Sequence, residues 1–174
     1  MKKIILLIYY LFASKLPDYA FPCGRIFNKI RVDFLKRIIP IGNNCRIQSN
    51  VYIGDGNNVS IGDNCRINDN CKLDNVKIGD YVLIARRTQI LGKMHRFDDT
   101  KIPMLLQKNR PQKQTIIEND VWIGLNVIIL PSLKIAKGSI IAAGAVLTKD
   151  TKPYGIYGGI PAKLIKFRKK NEEK

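Results

Sequence analysis

The chain contains a single histidine, His95. Zinc or iron centres that need two or three imidazoles are therefore excluded, and no metal is expected. Its four cysteines, Cys23, Cys45, Cys65 and Cys71, include no C-x-x-C pair, which removes the zinc ribbon as well. The N-terminal apolar run, Ile4 to Ala13, is ten residues long, about half of what spans a bilayer. Acidic side chains are few: 14 Asp and Glu against 30 Lys and Arg, a net charge of +16.

That charge is uneven. Residues 1–40 hold eight basic and two acidic side chains (+6), and residues 148–174 hold eight and three (+5). The longer middle, 41–147, is only mildly basic, so a nucleic-acid coat is not expected and nucleic acid is not a predicted partner. Hydrophobic residues make up 45% of the 174, enough for one domain with its own core. Lys2 and Lys3 ahead of the apolar run imitate a signal peptide, but Lys15, Pro17 and Asp18 follow where small residues should mark a cleavage site. A retained helix is expected, either a cap on the domain or a segment resting on the inner face of a membrane.

The dominant pattern is a six-residue period. Ile or Leu recurs at 41, 47 and 53, at 61, 67 and 73, and at 78, 84 and 90. After a gap it resumes at 117, 123, 129, 135, 141 and 147. Six fits neither a helix nor a free-standing strand alternation, but it suits a solenoid of short strands and turns, three hexads to a coil and about five coils. The aliphatic residue points inward, and Gly or Asn at the turns is expected to supply positive φ. Fifth positions are small (Cys45, Cys65, Cys71, Thr88, Ser139 and Ala145 among them), as an inward-facing corner requires. The cysteines are therefore expected to be free thiols in a reducing compartment. Spacings of eight residues from 53 to 61 and five from 73 to 78 predict local bulges. The expected division is a helical capping segment over 1–40, a solenoid over 41–152 and a cap with a basic tail over 153–174.

The Ile-Gly-Asp/Asn-Asn pattern resembles the left-handed parallel β-helix of hexapeptide-repeat acyltransferases, although the spacing itself sets no hand. The stretch VWIGLNVIILPSLKIAKGSIIAAGAVLTKDTKPYGIYGGIPAKLIKFR, residues 121–168, is similar to the terminal coils of the galactoside, maltose and xenobiotic acetyltransferase branch. LPDYAFPCGRIFNKIR and MHRFDDTKIPMLLQ extend the likeness to enzymes that O-acetylate bacterial exopolysaccharides, such as the colanic acid type. The resemblance implies an all-β solenoid with acetyl-CoA as acyl donor, a carbohydrate acceptor, a cytoplasmic location and a homotrimer with sites between subunits. An antibiotic, a free sugar or a nucleotide-sugar amine is the alternative acceptor.

Between Ile90 and Ile117 the period disappears, giving an extruded loop over 91–116 with His95 at its base. Loops this long in a compact domain are usually functional or disordered. The resembling families keep their catalytic histidine there, so His95 is the expected general base for a sugar hydroxyl. An imidazole near pH 7 can both take that proton and return it to a thiolate. Asp98, Asp99 or a main-chain carbonyl would orient the ring. Matching the family motif places donor contacts at Leu125, Ala143, Thr148 and Lys149, with Lys163 and Lys166 meeting the phosphates of coenzyme A. Asp74 and Asn75 fall where relatives hold the acceptor, with a one-residue ambiguity from the short hexad.

Overall fold

The computed structural model describes residues 1–168. Each hexad becomes a strand of two or three residues and a turn, because one inward aliphatic side chain and one small corner residue are all that each side of the coil can bury. Strands stack in register into three parallel sheets, the faces of a prism. The first face carries Val59–Ile61, Val76–Ile78, Thr115–Ile117 and Lys134–Ile135, with Ile41 bridged to Ile61 at its start. The second carries Arg46–Ile47, Arg66–Ile67, Leu83–Ile84, Trp122–Ile123 and Ile140–Ile141. The third carries Lys72–Leu73, Gln89–Ile90, Ile128–Ile129 and Val146–Leu147.

Register confirms the period residue by residue. Ile47, Ile67, Ile84, Ile123 and Ile141 pair in succession along the second face, and all are buried. The five coils are complete, and Gly155–Gly159 adds part of a sixth on the second face before Ala162–Phe167 folds back antiparallel over it. Lys169 and Lys170, in the basic tail expected from the sequence, lie outside the described residues.

The turns take the positive φ expected of asparagine and glycine, Gly138 and Gly144 among them. Positive φ falls on the fourth residue of the hexad, as at Asn44, Asn64, Asn70 and Asn126. The second-position glycines Gly42 and Gly62 are not in that region. They are glycine for lack of room: a Cβ on Gly62 would lie 2.4 Å from Asp80 Oδ1 of the next coil. That carboxylate accepts the Asp63 N–H at 2.8 Å, and Asp63 in turn accepts the Asn43 N–H at 2.5 Å. One corner is thus a ladder of side-chain acceptors on main-chain donors.

The open edge of the first coil is covered by the N-terminal segment, which comprises α1 (Lys2–Leu11) and α2 (Gly24–Lys36). An uncovered edge would present unpaired N–H and C=O groups. Asn28 of α2 accepts the Ile47 N–H at 2.9 Å and donates to the Cys45 carbonyl at 3.2 Å. Fully buried Arg31 donates to the carbonyls of Ile47, Leu16 and Pro17. Tyr9 of α1, also buried, donates to the Val51 carbonyl at 2.7 Å.

All four cysteines are free, as expected. Cys45, Cys65 and Cys71 are buried in fifth positions, and burial pushes the Cys71 thiol up to about 12. Cys23 is exposed. A thiol reagent at neutral pH should therefore titrate one cysteine in the native protein and four after denaturation. A native count of three or four would contradict this packing.

Candidate active site

The loop leaves the solenoid where the third face turns toward the first. Leu91 still donates its N–H to the Ile129 carbonyl at 3.0 Å, and the regular coil resumes at Thr115. Met94–His95 pairs antiparallel with Asn109–Arg110, with His95 opposite Asn109, so the loop is a short ribbon with a Met104–Leu106 turn in its outer part. His95 is exposed at the base of this ribbon. Asp98 binds Arg110 at 2.5 Å, and Arg110 also covers the Phe97 ring at 5.2 Å. Asp99 accepts the Lys101 N–H at 2.8 Å. Both carboxylates proposed from sequence as imidazole partners are thus engaged within the loop.

Where the loop leaves the coil lies a cavity of about 690 Å³, lined by Tyr52, Lys72, Asp74, Asn75, Leu91, Gly92 and Lys93 together with Gly54, Asp55, Asn57 and Asn58. Its volume is in the usual range of about 300–1,000 Å³ for ligand pockets. Asp74 and Asn75 are therefore brought to the loop base as a pair. Asn75 donates its side-chain N–H to the Lys113 carbonyl at 3.1 Å, which fastens the returning end of the loop. Asp74 packs so tightly on Gly92 that a Cβ there would lie 2.6 Å from its Cγ. Lys72 stands 5.6 Å over the Tyr52 ring. The lining mixes cations, carboxylates, amides and one aromatic face, a set suited to a polyhydroxylated ligand.

Sequence reasoning did not find this cavity, yet its signal was there. The eight-residue hexad supplies the wall from Gly54 to Asn58, and the five-residue hexad places Asp74 and Asn75 opposite. Both register breaks are parts of the same site.

The expected donor residues lie elsewhere on the same prism. Leu125 and Ala143 stack one coil apart at the corner between second and third faces, where the Gly144 N–H reaches the Leu125 carbonyl at 2.7 Å. Ala143 and Gly144 are exposed and nothing lies within 4 Å of a Cβ built on Gly144, so a ligand could approach the backbone there. Thr148 shares a row with Asp74, Leu91 and Leu130, three coil spacings from Asp74, or about 14 Å at about 4.8 Å per coil. Lys149 follows it and is exposed. These four residues flank the two edges of the third face. Lys163 and Lys166 are exposed on the antiparallel strand beside the second face. None of the six lines the cavity at the loop base, so the single chain does not bring donor and acceptor residues together. Among the described residues no cluster of three His, Cys, Asp or Glu side chains could hold a metal.

Comparison with known proteins agrees with the solenoid fold. The bacterial transferase hexapeptide model (six repeats) matches residues 58–92 and 114–149, and the hexapeptide repeat of succinyl-transferase matches 39–55. A galactoside O-acetyltransferase of Escherichia coli is 34% identical over 131 residues, 72% of this chain and 62% of its own length. A chloramphenicol acetyltransferase of Klebsiella aerogenes is 34% identical over 116 residues, 58% of this chain and 55% of its own. The chain thus spans a little over half the length of these curated relatives. The crystal structure of a maltose O-acetyltransferase from Clostridium difficile superposes with a TM-score of 0.81 at 26% identity, covering 97% of this chain and 87% of that one. A hexapeptide-repeat acetyltransferase of Vibrio cholerae, solved with acetyl coenzyme A, superposes equally well at 27% identity over 97% and 88% of the two chains. The hand that the spacing left open is that of this fold, a left-handed parallel β-helix.

The loop's order should depend on Arg110. In Arg110→Ala, hydrogen exchange across residues 96–108 should quicken by about fivefold, the worth of roughly 1 kcal/mol from an exposed ion pair and a cation–π contact. The thermal midpoint of the prism should stay put. A global loss of stability would show that the loop is part of the core.

Proposed function

The chain belongs to the hexapeptide-repeat acetyltransferase family, and on that premise we propose that it is an acetyl-CoA-dependent O-acetyltransferase acting on a sugar hydroxyl. The observation that carries this reading is the lone histidine at the base of the loop, two residues beyond Lys93, which lines a polar cavity together with Asp74 and Asn75. His95 takes the hydroxyl proton while the sugar oxygen attacks the thioester carbonyl. The tetrahedral intermediate collapses with cleavage of the C–S bond, and His95 returns the proton to the departing thiolate. Products are the acetyl ester and coenzyme A, with no covalent enzyme intermediate. With Asp98 and Asp99 engaged elsewhere, a main-chain carbonyl or a group from another chain would orient the ring.

Acetyl-CoA would lie along the third face, its pantetheine against Leu125 and Ala143 and its nucleotide end toward Thr148 and Lys149. Lys163 and Lys166 would meet the phosphates. Because these contacts and the cavity lie apart on one chain, a second copy must complete the site, which supports a homotrimer whose heterologous contacts close on themselves. The acceptor is a unit of a bacterial surface polysaccharide, of the exopolysaccharide (colanic acid) type, or its precursor, modified in the cytoplasm. The relationship to chloramphenicol acetyltransferases favours one second reading, a small antibiotic acceptor. The cavity's charged and amide lining suits a sugar better than an aromatic drug.

Replacing His95 by Ala should lower turnover by about 10²–10⁴-fold, the usual contribution of a positioned acid–base group, with little change in coenzyme A affinity. Lys163→Ala should weaken coenzyme A binding and leave saturated turnover near that of the unaltered enzyme. Steady-state kinetics against sugar and chloramphenicol acceptors, with coenzyme A binding by calorimetry, separates these effects. Near-normal turnover by His95→Ala would overturn the assignment.

A further inference from the structure

Beyond Lys2 and Lys3, α1 is apolar on every side. Its inner side is explained: Tyr9 is buried on the first coil, Ile5, Leu6 and Tyr10 pack against the core, and Tyr10 donates to the Gly54 carbonyl at 2.8 Å. Its outer side is not. Ile4, Leu7, Ile8 and Leu11 are 63%, 59%, 41% and 72% exposed, and Phe12, just past the helix, is 55% exposed. At 100° per residue these five occupy one continuous sector of the helix. A helix hydrophobic all round belongs in a core or in lipid. Ten residues rise only about 15 Å, half the thickness of a bilayer's hydrocarbon, and no described helix is long and apolar enough to cross a membrane. Lying in the interface remains.

Charge selects the occupant. Residues 1–17 hold Lys2, Lys3 and Lys15 and no carboxylate, the pattern by which interfacial helices meet anionic headgroups. Position gives the contact a purpose. Lys2 donates to Asn57 Oδ1 at 3.0 Å and Tyr10 stacks on Tyr52, and both Asn57 and Tyr52 line the cavity at the loop base. We infer that the outer face of α1 docks on an anionic lipid surface and holds the rim of this cavity beside the headgroups. The dock goes beyond the acetyl-transfer reading and stands on observations independent of it.

Co-sedimentation with vesicles tests it. The full chain should sediment with phosphatidylcholine–phosphatidylglycerol (3:1) vesicles and at least tenfold less with phosphatidylcholine alone. The triple variant Ile4→Glu, Leu7→Glu, Leu11→Glu should lose at least tenfold in binding to the mixed vesicles. Its thermal midpoint and its acetyl transfer to a water-soluble sugar should match the unaltered protein. Should the triple variant misfold, Lys3→Glu with Leu11→Ser serves as the milder test, with the same loss expected. Unaltered protein that ignores the mixed vesicles, or variants that bind them undiminished, would overturn the inference. So would an oligomer that falls apart in the triple variant, since the face would then be a contact between copies. Vesicle binding without acetyl transfer would sink only the enzymatic reading, and acetyl transfer without vesicle binding only the dock.

Discussion

Everything in this molecule depends on one constraint: each side of a coil must bury one branched aliphatic residue over the one below it. Fully burying such a side chain is worth about 1.5–3 kcal/mol, and each row stacks five of them, as in Ile47, Ile67, Ile84, Ile123 and Ile141, at a spacing of about 4.8 Å. A row of this kind tolerates little slippage, because a one-residue shift would turn the aliphatic side chains out and charged ones such as Arg66 and Lys72 in. The turns follow from it. Asparagine at the fourth position takes up the positive φ that brings the chain round, and glycine at the second admits the carboxylate ladder of the next coil.

The same constraint confines function to places where the pattern is relaxed. A solenoid whose every position serves the stack leaves only its outer face, corners and insertions for chemistry. The three departures from a six-residue repeat are the turn after Ile53, the short hexad after Leu73 and the loop after Ile90. They lie on successive coils at one corner. Stacking brings them together, and the cavity at the loop base is the result. The residues proposed to meet the donor need no irregularity, since a regular edge with exposed backbone at Ala143 and Gly144 would suffice for an extended ligand.

The prism was legible in the sequence because a period of six has few physical solutions, and the buried fifth-position cysteines followed from corner geometry. Composition alone cannot separate a glycine that takes positive φ, such as Gly54 or Gly144, from one needed for space, such as Gly42 or Gly62. The cavity was missed because bulges were treated as repairs to the stack; only the register of neighbouring coils reveals that Gly54–Asn58 faces Asp74. The engagement of Asp98 by Arg110 could not be read either, for it depends on how the extruded loop folds back on itself. The edge-covering role of Arg31 was equally hidden in a helix rich in basic residues.

In the proposed enzyme the loop histidine of one chain and the donor track of another form a single site. A crystal structure of the protein with coenzyme A tests it most directly. The expected result is a trimer with coenzyme A between two chains, its pantetheine on Leu125 and Ala143 of one and its sulfur within hydrogen-bond reach of His95 of the other. Coenzyme A bound wholly within one chain, or with its sulfur remote from every His95, would contradict it.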